Sequence, residues 1–385
     1  MFYTYSFAGC KRDLSDIMFT VIKDEPRFIS NFRPGADATQ RKHEWIEDQL
    51  TGRGFTVNSI SGNTLTPAEN SNLNIVPGTL IAVKDDPALF KVTEVDKNSI
   101  SVELVAVNGS AITDTDDLPS GGAEFIIVST PMSEGSANGD GDESYAGSKV
   151  EWNATQIFRK EIIISGSALA VTINGSADNQ LNRQTAFALS ELARDLNRVA
   201  LFGRRMEASP GVHGEAGGLY CFGTQENSLS INASKAVLDS FLINDGAQKV
   251  LGEGGDPMQI LCSPGQARVI SNEYRDRIQV LRSDDRRGAY VAVIVNEING
   301  RGMTIMADPD VPDTDAWILD PQCFALANLS GRAITDVDAT PKGFDGIRRV
   351  AIGELTFEFR NAAQRCCRLT NLKPSAEAIA ALRGN

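Results

Sequence analysis

Two histidines, His43 and His213, are all the imidazole chemistry this 385-residue sequence offers. A histidine-based metal site or a Ser-His-Asp triad has almost no material to use. Carboxylates are more plentiful. Asp308, Asp310, Asp313 and Asp315 lie close enough in sequence to ligate a cation, but Pro309 and Pro312 break the run, and the Asp-Pro step at 308–309 and the Pro-Asp step at 312–313 read as turns. Asn138-x-Asp140-x-Asp142 imitates the opening of a calcium loop, yet Glu143 stands where glycine is needed and Lys149 where the closing glutamate belongs, so it reads as a solvated linker. Gly252-Glu253-Gly254-Gly255 lacks the preceding strand and the spacing of a dinucleotide loop, and no GxxxxGK[ST] or GxSxG sequence occurs. No cofactor site and no enzyme activity are expected.

Six cysteines with no CxxC pair match neither a disulfide scaffold nor a zinc ribbon. Cys366 and Cys367 end a strand, where period-two alternation puts neighbouring thiols on opposite faces. They read as two small unpaired hydrophobes, or as a pair of which one faces a neighbouring subunit and offers an intersubunit thiol.

With 50 acidic and 37 basic residues the net charge is −13, the wrong sign for neutralising phosphates on free nucleic acid. No window approaches the roughly 18 consecutive apolar residues of a membrane span. The start, Met1 to Phe7, carries no secretion signal, so cytoplasmic synthesis is expected. The length fits two or three folded units.

The elements that must position these residues follow from periodicity. Residues 1–55 look like an arm, with short apolar clusters between charged stretches and an amphipathic helical turn at His43 to Leu50. From about 57 to 130 short β-type runs (Thr79 to Val83, Leu89 to Val95, Ser99 to Val107, Glu124 to Val128) alternate with turn residues, predicting a small β-unit. A Gly/Ser/Asp-rich stretch, Ser133 to Ser148, reads as a mobile tether, as does the loop from Gly211 to Gly223. Strands are predicted at Phe158 to Ser165 and Ser167 to Ile173. Then Leu181, Ala188, Leu189, Leu192, Leu196 and Val199 recur at helical spacing, predicting a helix over 180–202 stopped by Gly203. An α/β region follows, with helices at Ala233 to Leu242 and from Pro264 to about Leu281, the second opened by a Ser263/Gln266 capping box. Strands are expected at Tyr290 to Val295, Met303 to Ala307, Ala316 to Leu319 and Phe324 to Ala327. Leu355, Phe357 and Phe359 alternate with Glu354, Thr356 and Glu358, and Arg365 to Leu369 completes a closing strand pair.

The order of these pieces resembles the major capsid proteins of tailed bacteriophages with the Hong Kong 97-like fold. Three stretches carry the resemblance. They are Lys11 to Asp16 with His43 to Leu50; Glu134-Gly135 with Asn153 to Phe158, the strand to Gly166 and the helix containing Glu191-Leu192-Ala193-Arg194-Asp195; and Ala351 to Leu372. The resemblance implies an α+β fold. Its parts are an N-terminal arm (1–55), an extended loop (56–166) containing an inserted β-domain, a peripheral domain with a spine helix (167–222), an axial domain (223–339) and closing peripheral strands (340–385). It also implies a homo-oligomer of hexamers and pentamers enclosing double-stranded DNA without sequence-specific binding, in the virion and assembled in the host cytoplasm with no membrane. Trp45, Phe158 and Arg159 then fall at contacts between subunits. Because the chain begins almost directly at the arm, a separate scaffolding protein is expected, with a portal and a decoration protein as further partners. The alternatives are an encapsulin-like nanocompartment shell, or a hydrolase or carbohydrate-binding protein that uses the β-domain.

Overall fold

The structure, a computed structural model, describes residues 26–48, 54–61, 63–68, 75–84, 89–96, 99–105, 122–132, 134, 148–170, 180–225, 228–273 and 292–383. The expectations for residues 1–25, most of the Ser133–Ser148 tether, the calcium-like stretch at Asn138 and residues 274–291 lie outside them. In chain order the strands are β1 (Arg33–Pro34), β2 (Lys42–Glu47), β3 (Gly54–Ser61), β4 (Thr64–Pro67), β5 (Leu80–Val83), β6 (Leu89–Asp96), β7 (Ser99–Val105), β8 (Glu124–Ser129), β9 (Lys149–Ala154) and β10 (Gln156–Ser165). Helices α1 (Gly166–Ala170), α2 (Gln180–Phe202) and α3 (Leu219–Phe222) precede β11 (Leu229–Asn232), α4 (Ser240–Gly252), β12 (Gln259–Cys262) and α5 (Pro264–Glu273). Then come β13 (Val293–Val295), β14 (Gly302–Ala307), β15 (Ala316–Leu319), β16 (Phe324–Asn328), β17 (Thr335–Asp338), β18 (Gly346–Phe359), α6 (Ala362–Arg365), β19 (Cys366–Thr370) and α7 (Ser375–Arg383).

The chain divides into two compact units, Met1–Trp45 with Glu151–Asn385, and Ile46–Val150. In the first, a five-stranded sheet runs β1-β16-β18-β10 with β17 added to β18, and a six-stranded sheet runs β11-β19-β15-β12-β14-β13. The central strands of the six-stranded sheet are apolar without alternation because both their faces are buried. Leu261, Trp317, Leu319 and Cys366 feed one core with Phe28, Phe324, Phe357 and Phe359. Their neighbours Ile260, Cys262, Ile318 and Cys367 feed a second core under α4 and α5.

Helix α2 spans the predicted residues. Its buried stripe is Ala188, Leu192, Leu196 and Ala200, four residues apart, while Leu189 falls off the stripe and is exposed. Gly203 N–H closes the helix on Val199 O at 2.8 Å. Several expectations fail for local reasons. His43 to Glu47 is extended, not helical, because alternation sets His43 and Trp45 on one side. Gly166–Ala170 is helical, not a strand: Ser165 Oγ accepts from Ala168 N–H at 3.3 Å, opening a helical turn. The helix expected at Ala233 starts only at Ser240, where Asp239 caps Leu242 N–H at 2.9 Å. Residues 214–223 are packed, not a tether: a Cβ on Gly218 would sit 2.4 Å from Val199 O, and one on Gly223 would sit 2.6 Å from the Trp317 ring. Strands β18 and β19 do not pair with each other; β19 lies between β11 and β15.

The second unit holds a closed barrel, β3-β4-β7-β6-β5-β8. Phe55, Val57, Leu65, Ile81, Phe90, Val92 and Phe125 fill it, with Phe55 stacked on Phe125 at 5.6 Å. Closure leaves no free sheet edge. The unit's 105 residues carry 16 acidic and five basic side chains, a net charge of −11, whereas the first unit carries 34 and 32, a net of −2.

The barrel core shares no residue with the core around β18. Phe125→Ala should therefore destabilise the barrel by about 3–5 kcal/mol, read by hydrogen exchange as lost protection in β3 to β8, while β10 and β18 keep theirs. Equal losses in both sets would contradict the separation of the cores.

Candidate functional site: the buried polar clamp

The residues with chemical potential converge on holding extended segments in place, all within the first unit. Asp308 is fully buried. Its Oδ2 accepts from Arg27 N–H (3.1 Å), Phe28 N–H (2.9 Å) and Asn197 Nδ2 (3.1 Å), and its Oδ1 accepts from Asp310 N–H (2.9 Å). Asn197, on α2, accepts from Ile29 N–H at 3.0 Å and also donates to Asp310 Oδ2 at 2.9 Å. The start of the described chain is thus fastened to α2 and to the β14–β15 turn. Phe28 and Phe32 then enter the aromatic cluster, with ring centroids 5.5 Å from Phe324 and 5.1 Å from Phe357 respectively.

The remaining aspartates of that group each serve a different joint. Asp313 accepts from Ser263 Oγ and from Ser375 N–H, both at 2.6 Å, tying α5 to α7. Burial opposes its charge, but these bonds outweigh burial and hold its carboxyl below the usual range. Ser263 caps Gln266 N–H at 3.1 Å as expected, while the Gln266 amide donates to Asp313 O and Lys373 O instead of closing the capping box. Asp315 accepts from Arg368 and from Tyr220 Oη. Among the described residues, no three His, Cys, Asp or Glu side chains gather in metal-binding geometry, and no helix is long and apolar enough to cross a membrane.

A second set fixes β2 and β9, the strands through which the chain leaves and re-enters this unit. Asn153 is fully buried with every side-chain position used: Nδ2 donates to Phe357 O (2.7 Å) and Gly217 O (3.1 Å), and Oδ1 accepts from Gly217 N–H (2.7 Å) and Ala154 N–H (2.9 Å). The polar alternates of β18, Glu354, Thr356 and Glu358, are buried. Thr155 Oγ1 donates to Glu354 (2.7 Å), Thr356 Oγ1 to Ala154 O (2.9 Å), and His43 Nε2 lies 2.7 Å from Glu358, which Arg360 also contacts.

Of the residues singled out for subunit contacts, Trp45 packs against Phe222 at 5.9 Å, Phe158 lies in the subunit's own core, and Arg159 stands exposed on β10 beside Glu161. Cys366 and Cys367 face the two different cores and are both buried. Sequence reasoning missed Asn197 and the acceptor role of Asp308. The available signal was an asparagine inside the apolar stripe of a long helix.

A family model described as SU10 major capsid protein matches residues 2–373. No curated protein matches the chain. Among solved structures, the capsid asymmetric unit of cyanophage A-1(L) aligns with a TM-score of 0.56 at 10% identity, covering 96% of this chain and 98% of that one. A Mycobacterium phage Adephagia structure aligns at 0.50 and 10%, covering 96% and 98%. The capsid of a native GTA particle aligns at 0.50 and 9%, covering 94% and 96%.

Two outcomes follow. Asp308→Ala removes the acceptor of four donors, the backbone N–H groups of Arg27, Phe28 and Asp310 and the Asn197 amide, and should cost about 2–4 kcal/mol, read as early hydrogen exchange at residues 27–29; unchanged protection there would refute the clamp. For Glu358, burial opposes the charged form, but hydrogen bonds from His43 and Arg360 outweigh it and hold the carboxyl below the usual range. A lowered folded-state value stabilises the fold at pH above the unfolded value, and this contribution is lost as pH falls through the folded one. His43→Ala should accordingly shift the acid-unfolding midpoint, followed by tryptophan fluorescence, to higher pH; an unmoved midpoint would leave the pair without a role in stability.

Proposed function

We propose, from the premise that this chain belongs to the SU10 major capsid protein family, that it closes with copies of itself into an icosahedral tailed-phage head around double-stranded DNA and turns over no substrate. The chain is a major capsid protein, and its α+β fold is of the Hong Kong 97 type. The observation that carries the reading is the family match over residues 2–373, which also favours a phage head over a nanocompartment shell. The clamp supports it: extended segments are fastened by buried polar bonds so that a neighbouring copy meets a fixed surface. The barrel aromatics Phe55, Phe90 and Phe125 are buried in its core, which disfavours the carbohydrate-binding alternative.

In this reading the barrel of the Ile46–Val150 unit is the β-domain, about residues 57–130, inserted in the extended loop of residues 56–166, and pentamers and hexamers assemble in the host cytoplasm with a separate scaffolding protein, a portal and a decoration protein. Arg159, between the exposed Ile157 and Ile163 on the outer face of β10, is the subunit-contact residue.

Sedimentation and negative-stain microscopy of the purified chain test this. Megadalton shells, tubes or capsomers are expected; a stable monomer that turns over a substrate would sink the reading. Arg159→Glu should lower the assembled fraction without changing the subunit's thermal midpoint, whereas equal assembly would remove Arg159 from the interface.

A further inference from the structure

The chain crosses between its two large sheets twice in close succession, from β15 to β16 through residues 320–323 and from β18 to β19 through residues 360–365. The crossings run side by side. Asp320 N–H donates to Arg365 O at 3.2 Å, Arg360 N–H to Cys323 O at 2.9 Å, and the Asp320 carboxylate lies 3.4 Å from the Arg365 guanidinium. Cys323 closes one crossing and Cys366 the other. Both are fully buried, and their sulfurs lie 3.7 Å apart. Cys367 points into the other core, where Cys262 also lies, while Cys221 packs at the margin of the core that holds Cys323 and Cys366; among the described residues Cys323 is the thiol in contact with Cys366.

We propose that Cys323 and Cys366 form a modification site, a thiol pair that closes to an intramolecular disulfide across the double crossing when the protein meets a small-molecule disulfide oxidant. One cysteine, as thiolate, attacks the oxidant; the oxidant's S–S bond breaks, one small thiol leaves and a mixed disulfide forms. The second cysteine's thiolate attacks the mixed disulfide at the protein sulfur and expels the second small thiol. Two protein thiols are oxidised by two electrons, one oxidant disulfide is reduced, and the two protons pass to the leaving thiolates. The sulfurs must approach from 3.7 Å to about 2.0 Å. Burial pushes the Cys323 thiol well above its ordinary value, so exchange is slow in the closed subunit and the pair stays reduced in a reducing compartment. Once formed, the bond closes the loop of residues 323–366 and fixes the junction of the sheets. Its timing, after release from the cell, rests on the capsid reading; the bond itself does not.

The test incubates the full chain and its assemblies with oxidised glutathione at mildly alkaline pH, with and without urea below the unfolding transition, and then alkylates free thiols in denaturant. Non-reducing peptide mapping should find a Cys323–Cys366 peptide lighter by two hydrogens, and a thermal midpoint raised by several degrees that dithiothreitol returns to its starting value. Cys323→Ser should leave Cys366 alkylated and the midpoint insensitive to oxidant. Free thiols at both positions in every condition, or Cys366 bonded to another subunit, would overturn the proposal. Because the unassembled chain should form the same bond, failure of assembly and failure of this inference are distinguishable.

Discussion

A carboxyl group removed from water costs free energy unless hydrogen bonds replace its hydration, and the first unit removes several. Asp308, Asp315, Asp320, Glu354 and Glu358 are all buried. Each is met by donors from a different part of the chain, so each works as a joint. Asp308 collects backbone N–H groups from residues 27 and 28, some 280 positions away in sequence. Glu358 meets a histidine 315 positions away. These are long-range contacts of high specificity, since a donor displaced by one residue leaves a buried acceptor unmet.

The apolar part of the structure has a complementary logic. The central strands of the six-stranded sheet are buried on both faces and so serve two cores at once, and a shift in their register would exchange the two sets of side chains. The aromatic cluster of Phe28, Phe32, Phe324, Phe357 and Phe359 then fills the space between the five-stranded sheet and the chain's beginning. Polar joints set which segments meet, and aromatic and aliphatic packing together remove apolar surface from water.

The sequence revealed elements whose own residues decide their structure. Helix α2 follows from four-residue spacing ended by a glycine, and β5 to β8 follow from alternation between turn residues. It was silent where partners decide. His43 to Glu47 carries an apolar spacing compatible with a helix, and its pairing with β9, with Phe222 and Glu358 against its inward side chains, makes it a strand. The alternation of Leu355, Phe357 and Phe359 with Glu354, Thr356 and Glu358 suits a strand with one wet face, yet that face is dry because the segments around His43 and Thr155 cover it. Glycines at 217, 218 and 223 look like flexibility in sequence and prove to be close packing. The aspartates at 308, 313 and 315 gave a turn signal but no hint of their acceptor roles, because their donors are scattered from residue 27 to residue 375.

The lopsided charge of the two units has a consequence of its own. The first unit is nearly neutral, so its folding and its approach to like copies work against little net repulsion, while the barrel-bearing unit carries almost the whole excess. The excess charge is thereby placed on one stretch of chain. Substitutions in the barrel's surface can retune migration in an electric field, adsorption and the response to ionic strength while the sheets and their joints stay as they are.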